Sequence, residues 1–333
     1  MVPEPDQFSI EDVRKLVGGR TKIHVICCNK QTTDTMTLSQ FTKYYQAVDR
    51  HKVYNVLSLE FSETAMDKIV QRPRIVGQLD WTTLLYPHCI TSPKFRKYCL
   101  MSVGGSYTNF HIDFGGSSVW YHVLKGRKVF WLIEPTPENL EIFKTWYSEG
   151  AYTVFLGDLV AKCQRITLEE GHTFMLPSGW IHAVYTPIDS LVFGGNFLHS
   201  YNVANQIRVS ELEVDLEVQK EYIIPFTNKL HWYVLEMYVR RLGGGSFLEK
   251  PPTAEVTSMN GGIRLGNLEA EGLSLLVQSL DQSKFTDVVD GIVDLPKLHF
   301  TANKLLAANG KANARSGVNT AIERQKIQKI ATM

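Results

Sequence analysis

Apolar and polar positions change their period three times along this chain, and the changes mark its elements. Ser9 precedes an apolar-periodic stretch to Leu16 that Gly18-Gly19 closes, which predicts a short capped helix. His24–Cys28 predicts a strand, and Thr37 or Ser39 starts a helix through Tyr45. Val53–Phe61 alternates apolar and polar positions as a strand does, after which Ser62 caps a helix towards Val70.

From about Tyr98 to Ser200 the period shortens to two. Ser117–Leu124 and Arg127–Ile133 predict two strands joined at Lys125-Gly126, a hairpin in which glycine supplies the positive φ. Glu138–Tyr147 interrupts them as a helix. Thr173–Leu176 predicts a strand stopped by Pro177-Ser178-Gly179, and Ile181–Thr186 and Leu191–Phe197 predict two more. Many short strands with turn signals between them indicate a sandwich or barrel.

After Ser200 the period lengthens again. Leu230, Tyr233, Val234, Met237, Tyr238 and Arg241 recur at helical spacing until Gly243. Gly243-Gly244-Gly245-Ser246 opens a segment to residue 266 that has the composition of a flexible linker. Leu268, Leu273, Leu275, Leu276 and Leu280 predict a further helix, and the tail from Thr301 is polar and weakly helical. The expected organisation is an N-terminal mixed α/β support over 1–97, a β core over 98–200, a helical segment over 201–242, the linker over 243–266 and a helical segment over 267–333.

Composition adds limits. The 333 residues are 44% hydrophobic and 11% aromatic, enough for a sizeable core, and 35 basic against 34 acidic side chains leave a net charge of +1. That balance gives no gross attraction to DNA or membranes. With no apolar run near ~20 residues and no charged leader, a soluble intracellular protein is expected. The five cysteines (Cys27, Cys28, Cys89, Cys99 and Cys163) form no C-x-x-C pair, which points to reduced, buried thiols and away from a zinc finger.

The chemistry lies in His111-Ile112-Asp113 and in His182, which follows Pro177-Ser178-Gly179-Trp180-Ile181. On an extended segment His111 and Asp113 project together, while Phe110, Ile112 and Phe114 project oppositely. Two imidazoles and a carboxylate can hold a metal on one face and leave the other open. Among ten histidines, His172 is the nearest rival to His182; its place at a Gly171 turn makes an exposed role the better reading.

The run Tyr107–His122, together with Gly126–Ile133, Pro177–Val184 and Phe193–Ser200, resembles the core of the Jumonji C (JmjC) histone lysine demethylases. Tyr54–Ser62 extends the resemblance, which covers roughly residues 20–242. It is strongest to the JmjC-domain-containing histone demethylase 1 subfamily, the F-box/leucine-rich-repeat type, with the PHD-finger subfamily second.

The resemblance implies an α+β, mainly β fold: a double-stranded β-helix (jelly roll) wrapped by helices, with a C-terminal helical extension. It implies Fe(II) on His111, Asp113 and His182, with 2-oxoglutarate and O2 as co-substrates. Lys128 and Thr108 would hold the distal carboxylate of 2-oxoglutarate, Asn55 and Tyr121 would contact its surroundings, and Asn196 would stand near substrate and oxygen. Strict alternation puts Thr108 and His111 on opposite faces, so a bend between them is required. Gly194-Gly195 either admits substrate or oxygen, or marks a bulge.

The implied function is a nuclear histone lysine demethylase that releases formaldehyde and succinate. Its expected partner is the methylated histone H3 tail or nucleosome, at mono- or dimethylated lysine 36. A JmjC protein hydroxylase and a catalytically lapsed chromatin-binding module are the alternatives. Glu211, Glu213, Asp215 and Glu217 are expected to form a solvated helix face. No zinc-finger, PHD or F-box pattern, and so no DNA-binding module, is visible in the sequence.

Overall fold

The computed structural model describes residues 2–28, 32–85, 94–150, 154–218, 227–249, 265–280, 289 and 291–309. Cys89 and most of the 243–266 stretch lie outside them, as does the tail beyond residue 309. Contacts divide the chain into two units. The first comprises 1–84, 92–198 and 205–224, and the second 85–91, 199–204 and 225–333.

Among the described residues nine strands build the first unit: β1 (Lys22–Cys27), β2 (Thr32–Thr37), β3 (Tyr54–Glu60), β4 (Tyr98–Ser102), β5 (Tyr107–His111), β6 (Ser118–Ile133), β7 (Gln164–Glu169), β8 (Thr173–Leu176) and β9 (Ile181–Phe197). All pairings are antiparallel. The two long strands, β6 and β9, organise the rest. The first half of β6 pairs with the second half of β9, flanked by β8 on one side and β4, β3, β1 and β2 on the other. The second half of β6 pairs with the first half of β9, flanked by β7 and β5. Two sheets thus share one strand pair, which is the double-stranded β-helix that the sequence implied.

The expected hairpin at Lys125-Gly126 is therefore a corner. The strand bends there and continues into the other sheet, with register shifts around Lys125 and Arg127. Likewise 181–186 and 191–197 are halves of one strand bent near Pro187, where a residue without an N–H is tolerated. Gly126 adopts φ 86°, and a Cβ on it would lie 2.2 Å from the Asp189 carbonyl oxygen and 2.9 Å from Ser190 Cα. A turn signal fits a hairpin and a sheet-switching bulge equally well, because both need the positive φ.

Three apolar clusters follow from the alternation. Trp120 and Leu124 point to the outer face of the larger sheet, where Val13, Leu38 and Phe41 of the N-terminal helices cover them with Phe61, Met101 and Phe193. Tyr121, Val123, Phe130, Leu132, Leu176 and Val192 fill the space between the sheets. On the outer face of the smaller sheet, Phe110, Ile133 and Ile181 pack under Phe143 and Trp146.

The N-terminal helices follow their caps. In α1 (Ile10–Val17) the Ser9 N–H donates to Asp12 Oδ2 at 3.0 Å. In α2 (Leu38–Gln46) Thr37 and Gln40 cap reciprocally, at 2.8 and 3.2 Å. The helix expected after Ser62 is only a 3-10 turn at Ala65–Lys68, capped by Thr64. Two short helices, α3 (Arg74–Leu79) and α4 (Trp81–Leu85), follow it. The helix α5 runs Pro137–Ser148, and α6 runs Val203–Asp215.

In the second unit, helix Thr227–Arg241 buries Leu230, Tyr233, Val234, Met237 and Tyr238, as their spacing predicts. The start of the expected linker is tied down: Ser246 and the Phe247 N–H both donate to Glu236 Oε1, at 2.9 and 3.2 Å. Helices Asn267–Ser279 and 295–309 complete the unit.

Gly126→Ala should lower the stability of the first unit by roughly 2–4 kcal/mol, from left-handed strain plus overpacking against backbone that cannot move aside. A urea midpoint equal to that of the parent would show that the corner does not need glycine.

Candidate active site

β5 and β9 meet with a shift in register. Thr108 pairs with Val184 and His111 with His182, so three steps along β5 match two along β9. This bulge is the bend that alternation required. It brings Thr108 and His111 to the same cavity although they are an odd number of residues apart.

The pairing brings the two imidazoles together, with ring centroids 4.1 Å apart and ring planes tilted by 48°. Asp113 follows on the 3-10 turn Phe114–Gly116, and its Oδ2 lies 3.7 Å from His182 Nε2. Among the described residues, His111, Asp113 and His182 form a group whose ligand atoms lie within 4.8 Å of one another.

Each imidazole is held by its other nitrogen. His111 Nδ1 is 2.8 Å from the Asn109 carbonyl oxygen, and His182 Nδ1 is 3.0 Å from that of Trp180. A carbonyl only accepts, so Nδ1 carries the proton and Nε2 keeps its lone pair, the tautomer that a metal ligand needs. Burial, reinforced by neighbouring His111, lowers the pKa of His182 to about 4 against the pull of Asp113, so the ring is neutral near pH 7. Two imidazoles and a carboxylate converging in this way fit a divalent metal bound on one face. Asn196 stands beside them: its Nδ2 donates to Ser117 Oγ at 2.8 Å and to Asp113 Oδ1 at 3.5 Å.

The same cavity, about 180 Å³, extends from these side chains to Lys128 between the two sheets. That is somewhat more than the ~150 Å³ able to take up a benzene molecule, so a small dicarboxylate is the right scale of occupant. Lys128 is 2% exposed. Its Nζ donates to Ser102 Oγ at 2.7 Å and Thr186 Oγ1 at 2.8 Å, leaving a third donor for an anion. Ser102 passes its own proton to Asn55 Oδ1 at 2.8 Å, and Asn55 Nδ2 donates to Thr108 Oγ1 at 3.4 Å. Thr108 receives that bond and keeps its hydroxyl hydrogen to give. Tyr121 lines the cavity, set edge-on to Phe130 at 5.2 Å.

Burial lowers the pKa of Lys128 to about 7. Because this lies below the unfolded value of ~10.4, the buried ammonium costs stability at and below pH 7, and the cost is relieved as pH rises towards 10. An anion in the cavity would relieve it too.

All eight residues singled out in the sequence line this one cavity: Asn55, Thr108, His111, Asp113, Tyr121, Lys128, His182 and Asn196. Ser102 and Thr186, which hold the ammonium, carried no signal in the sequence, because only the register of β4, β6 and β9 brings them to it. His172 stays on the surface, its Nδ1 accepting from the Glu169 N–H. Gly195 marks no bulge, since its pairing with Trp120 is regular, and a Cβ on it would collide with the Arg96 carbonyl at 2.0 Å. Both Gly194 and Gly195 line the cavity.

No family model matches the chain. Known proteins do. It is 47% identical over 276 residues to lysine-specific demethylase 2A of Xenopus tropicalis, covering 78% of this chain and 24% of that protein. It is 48% identical over 264 residues to lysine-specific demethylase 2B of Mus musculus, 74% of this chain and 20% of the relative. It is 44% identical over 268 residues to JmjC domain-containing histone demethylation protein 1 of Caenorhabditis elegans, 74% and 25%. The chain thus spans about a quarter of the length of these relatives. Identity of this order over about three quarters of the chain shows that it holds a JmjC core similar to those of these histone demethylases.

Proposed function

We propose that this chain is the catalytic part of an Fe(II)- and 2-oxoglutarate-dependent histone lysine demethylase. The observation that carries the reading is the convergence of His111, Asp113 and His182 in one cavity that also holds the buried ammonium of Lys128. Residues 98–200 would carry the catalysis and 1–97 would support them.

His111, Asp113 and His182 would hold Fe(II). Lys128 and Thr108 would clamp the far carboxylate of 2-oxoglutarate, with Asn55 orienting Thr108 and Tyr121 walling the pocket. Iron with O2 and 2-oxoglutarate supplies the oxidation: one oxygen atom leaves in succinate, CO2 is released, and the other hydroxylates the N-methyl carbon, which departs as formaldehyde. The protein's own part is to aim and to exclude water. The lone pairs of His111 and His182 are pre-oriented by the Asn109 and Trp180 carbonyls. Asn196 steadies Asp113, and Gly194 leaves the cavity wall free of a side chain beside it.

The substrate would be a methylated histone H3 tail in the nucleus. The resemblance to the demethylase 1 subfamily favours mono- and dimethylated lysine 36. Among the described residues no helix is long and apolar enough to cross a membrane. Formaldehyde release across a panel of methylated histone peptides, read by mass spectrometry, tests the reading. Hydroxylation that leaves the oxygen on the peptide would replace it with a protein hydroxylase.

His111→Ala should abolish formaldehyde release while shifting the melting point of the metal-free protein little, because the ring is only half-buried. Undiminished release would remove His111 from the site. Lys128→Ala should raise the 2-oxoglutarate requirement about 10- to 100-fold, the worth of one buried charge-assisted bond. An unaltered requirement would end its assignment. In the parent protein, 2-oxoglutarate affinity should be flat below pH 7 and fall about tenfold per pH unit above it. The empty-pocket ammonium deprotonates at about 7 and must be recharged on binding. Constant affinity from pH 6 to 9 would contradict this.

A further inference from the structure

The three grouped side chains are not all held by strands. β5 ends at His111 and β6 begins at Ser118, so Asp113 sits on a turn with no ladder of its own. That turn contains two consecutive left-handed residues, Gly115 at φ 58° and Gly116 at φ 59°. Likewise β8 ends at Leu176 and β9 begins at Ile181, and the connection Pro177–Trp180 leads into His182. Trp180 in this connection supplies the carbonyl that orients His182. An element outside the sheet touches both turns.

That element is α6, through its residues from Asn205 onward. On the Asp113 side, the Gly115 N–H donates to Glu213 Oε1 at 2.6 Å, a charge-assisted bond. Gly116 packs so tightly that a Cβ would lie 2.7 Å from Gln206 Cα and 3.1 Å from the Asn205 carbonyl oxygen. On the His182 side, Asn205 Nδ2 donates to the Ser178 carbonyl at 3.1 Å, and a Cβ on Gly179 would sit 3.3 Å from Asn205 Cβ. Glu213 is not the solvated residue that its acidic neighbours suggested. It is half-buried, lining a cavity with His111, Asp113, Phe143 and Leu212, whereas Glu211 is exposed and Asp215 pairs with Lys144.

We propose that Asn205 and Glu213 are positioning residues that set the spacing of Asp113 from His182 and thereby the affinity for the divalent metal. The inference rests on the metal-site reading above. One helix bonded to both turns adds a rigid rod to the hold that Asn196 and the β5–β9 ladder already exert on Asp113 and His182. Groups bonded directly to metal ligands typically govern affinity by about 10- to 100-fold, and Asn205 and Glu213, acting through the adjoining turns, are expected at the lower end of that range.

Mn(II) binding to the metal-free protein, followed by electron paramagnetic resonance without 2-oxoglutarate, tests this apart from turnover. Asn205→Ala and Glu213→Ala should each weaken Mn(II) binding about tenfold or more. Glu213→Gln, which keeps the accepting oxygen, should restore most of the loss, and exposed Glu211→Ala should bind as the parent does. Should Glu213→Ala fail to fold by circular dichroism, Asn205→Asp serves in its place, since it keeps the shape and removes the donor. Parental Mn(II) affinity in the folded Asn205 and Glu213 variants would overturn the proposal, as would a Glu213→Gln loss equal to that of Glu213→Ala. Failure of the parent itself to bind Mn(II) would instead sink the metal-site reading.

Discussion

The offset between β5 and β9 is the constraint on which the site depends. Were the two strands paired without it, Thr108 and His111 would face opposite sides of the sheet. The metal end and the anion end of the cavity could not then share a wall. One extra residue in β5 aligns them, and the direct pairing of His111 with His182 then follows from the ladder. Strand geometry, more than any special side chain, places these imidazoles 4.1 Å apart.

Around that alignment the fold accepts costs that only a ligand would relieve. Lys128 is an ammonium enclosed between two sheets and supported by the hydroxyls of Ser102 and Thr186. His182 is buried with a pKa near 4 beside another histidine. Uncompensated, such groups are burdens on stability. Arranged at opposite ends of one cavity, they describe a cation at one end and an anion at the other.

Much of this was legible in the sequence. Strands rich in apolar residues on both faces, such as β6 and β9, announced themselves. So did helices with reciprocal caps, and the H-x-D pair with its distant histidine. Strands whose existence depends on a neighbour did not: β2 (Thr-Thr-Asp-Thr-Met-Thr) is polar except for Met36 and is a strand because β1 bonds it. The corner at Gly126 was misread because glycine reports a local φ and not where the chain goes next. Ser102, Thr186 and Glu213 stayed hidden for a related reason. A serine or glutamate has no meaning for a site until another segment is brought against it.

The corners at Gly126 and Pro187 have one more consequence. Lys128 and His182 lie on the two strands that turn there, so the ammonium and the imidazole belong to a single continuous ribbon. A lesion at either bend would tilt both ends of the ribbon at once. Damage to this fold should therefore disturb the ammonium and the imidazole together, and selection acting on either would preserve the bend for both.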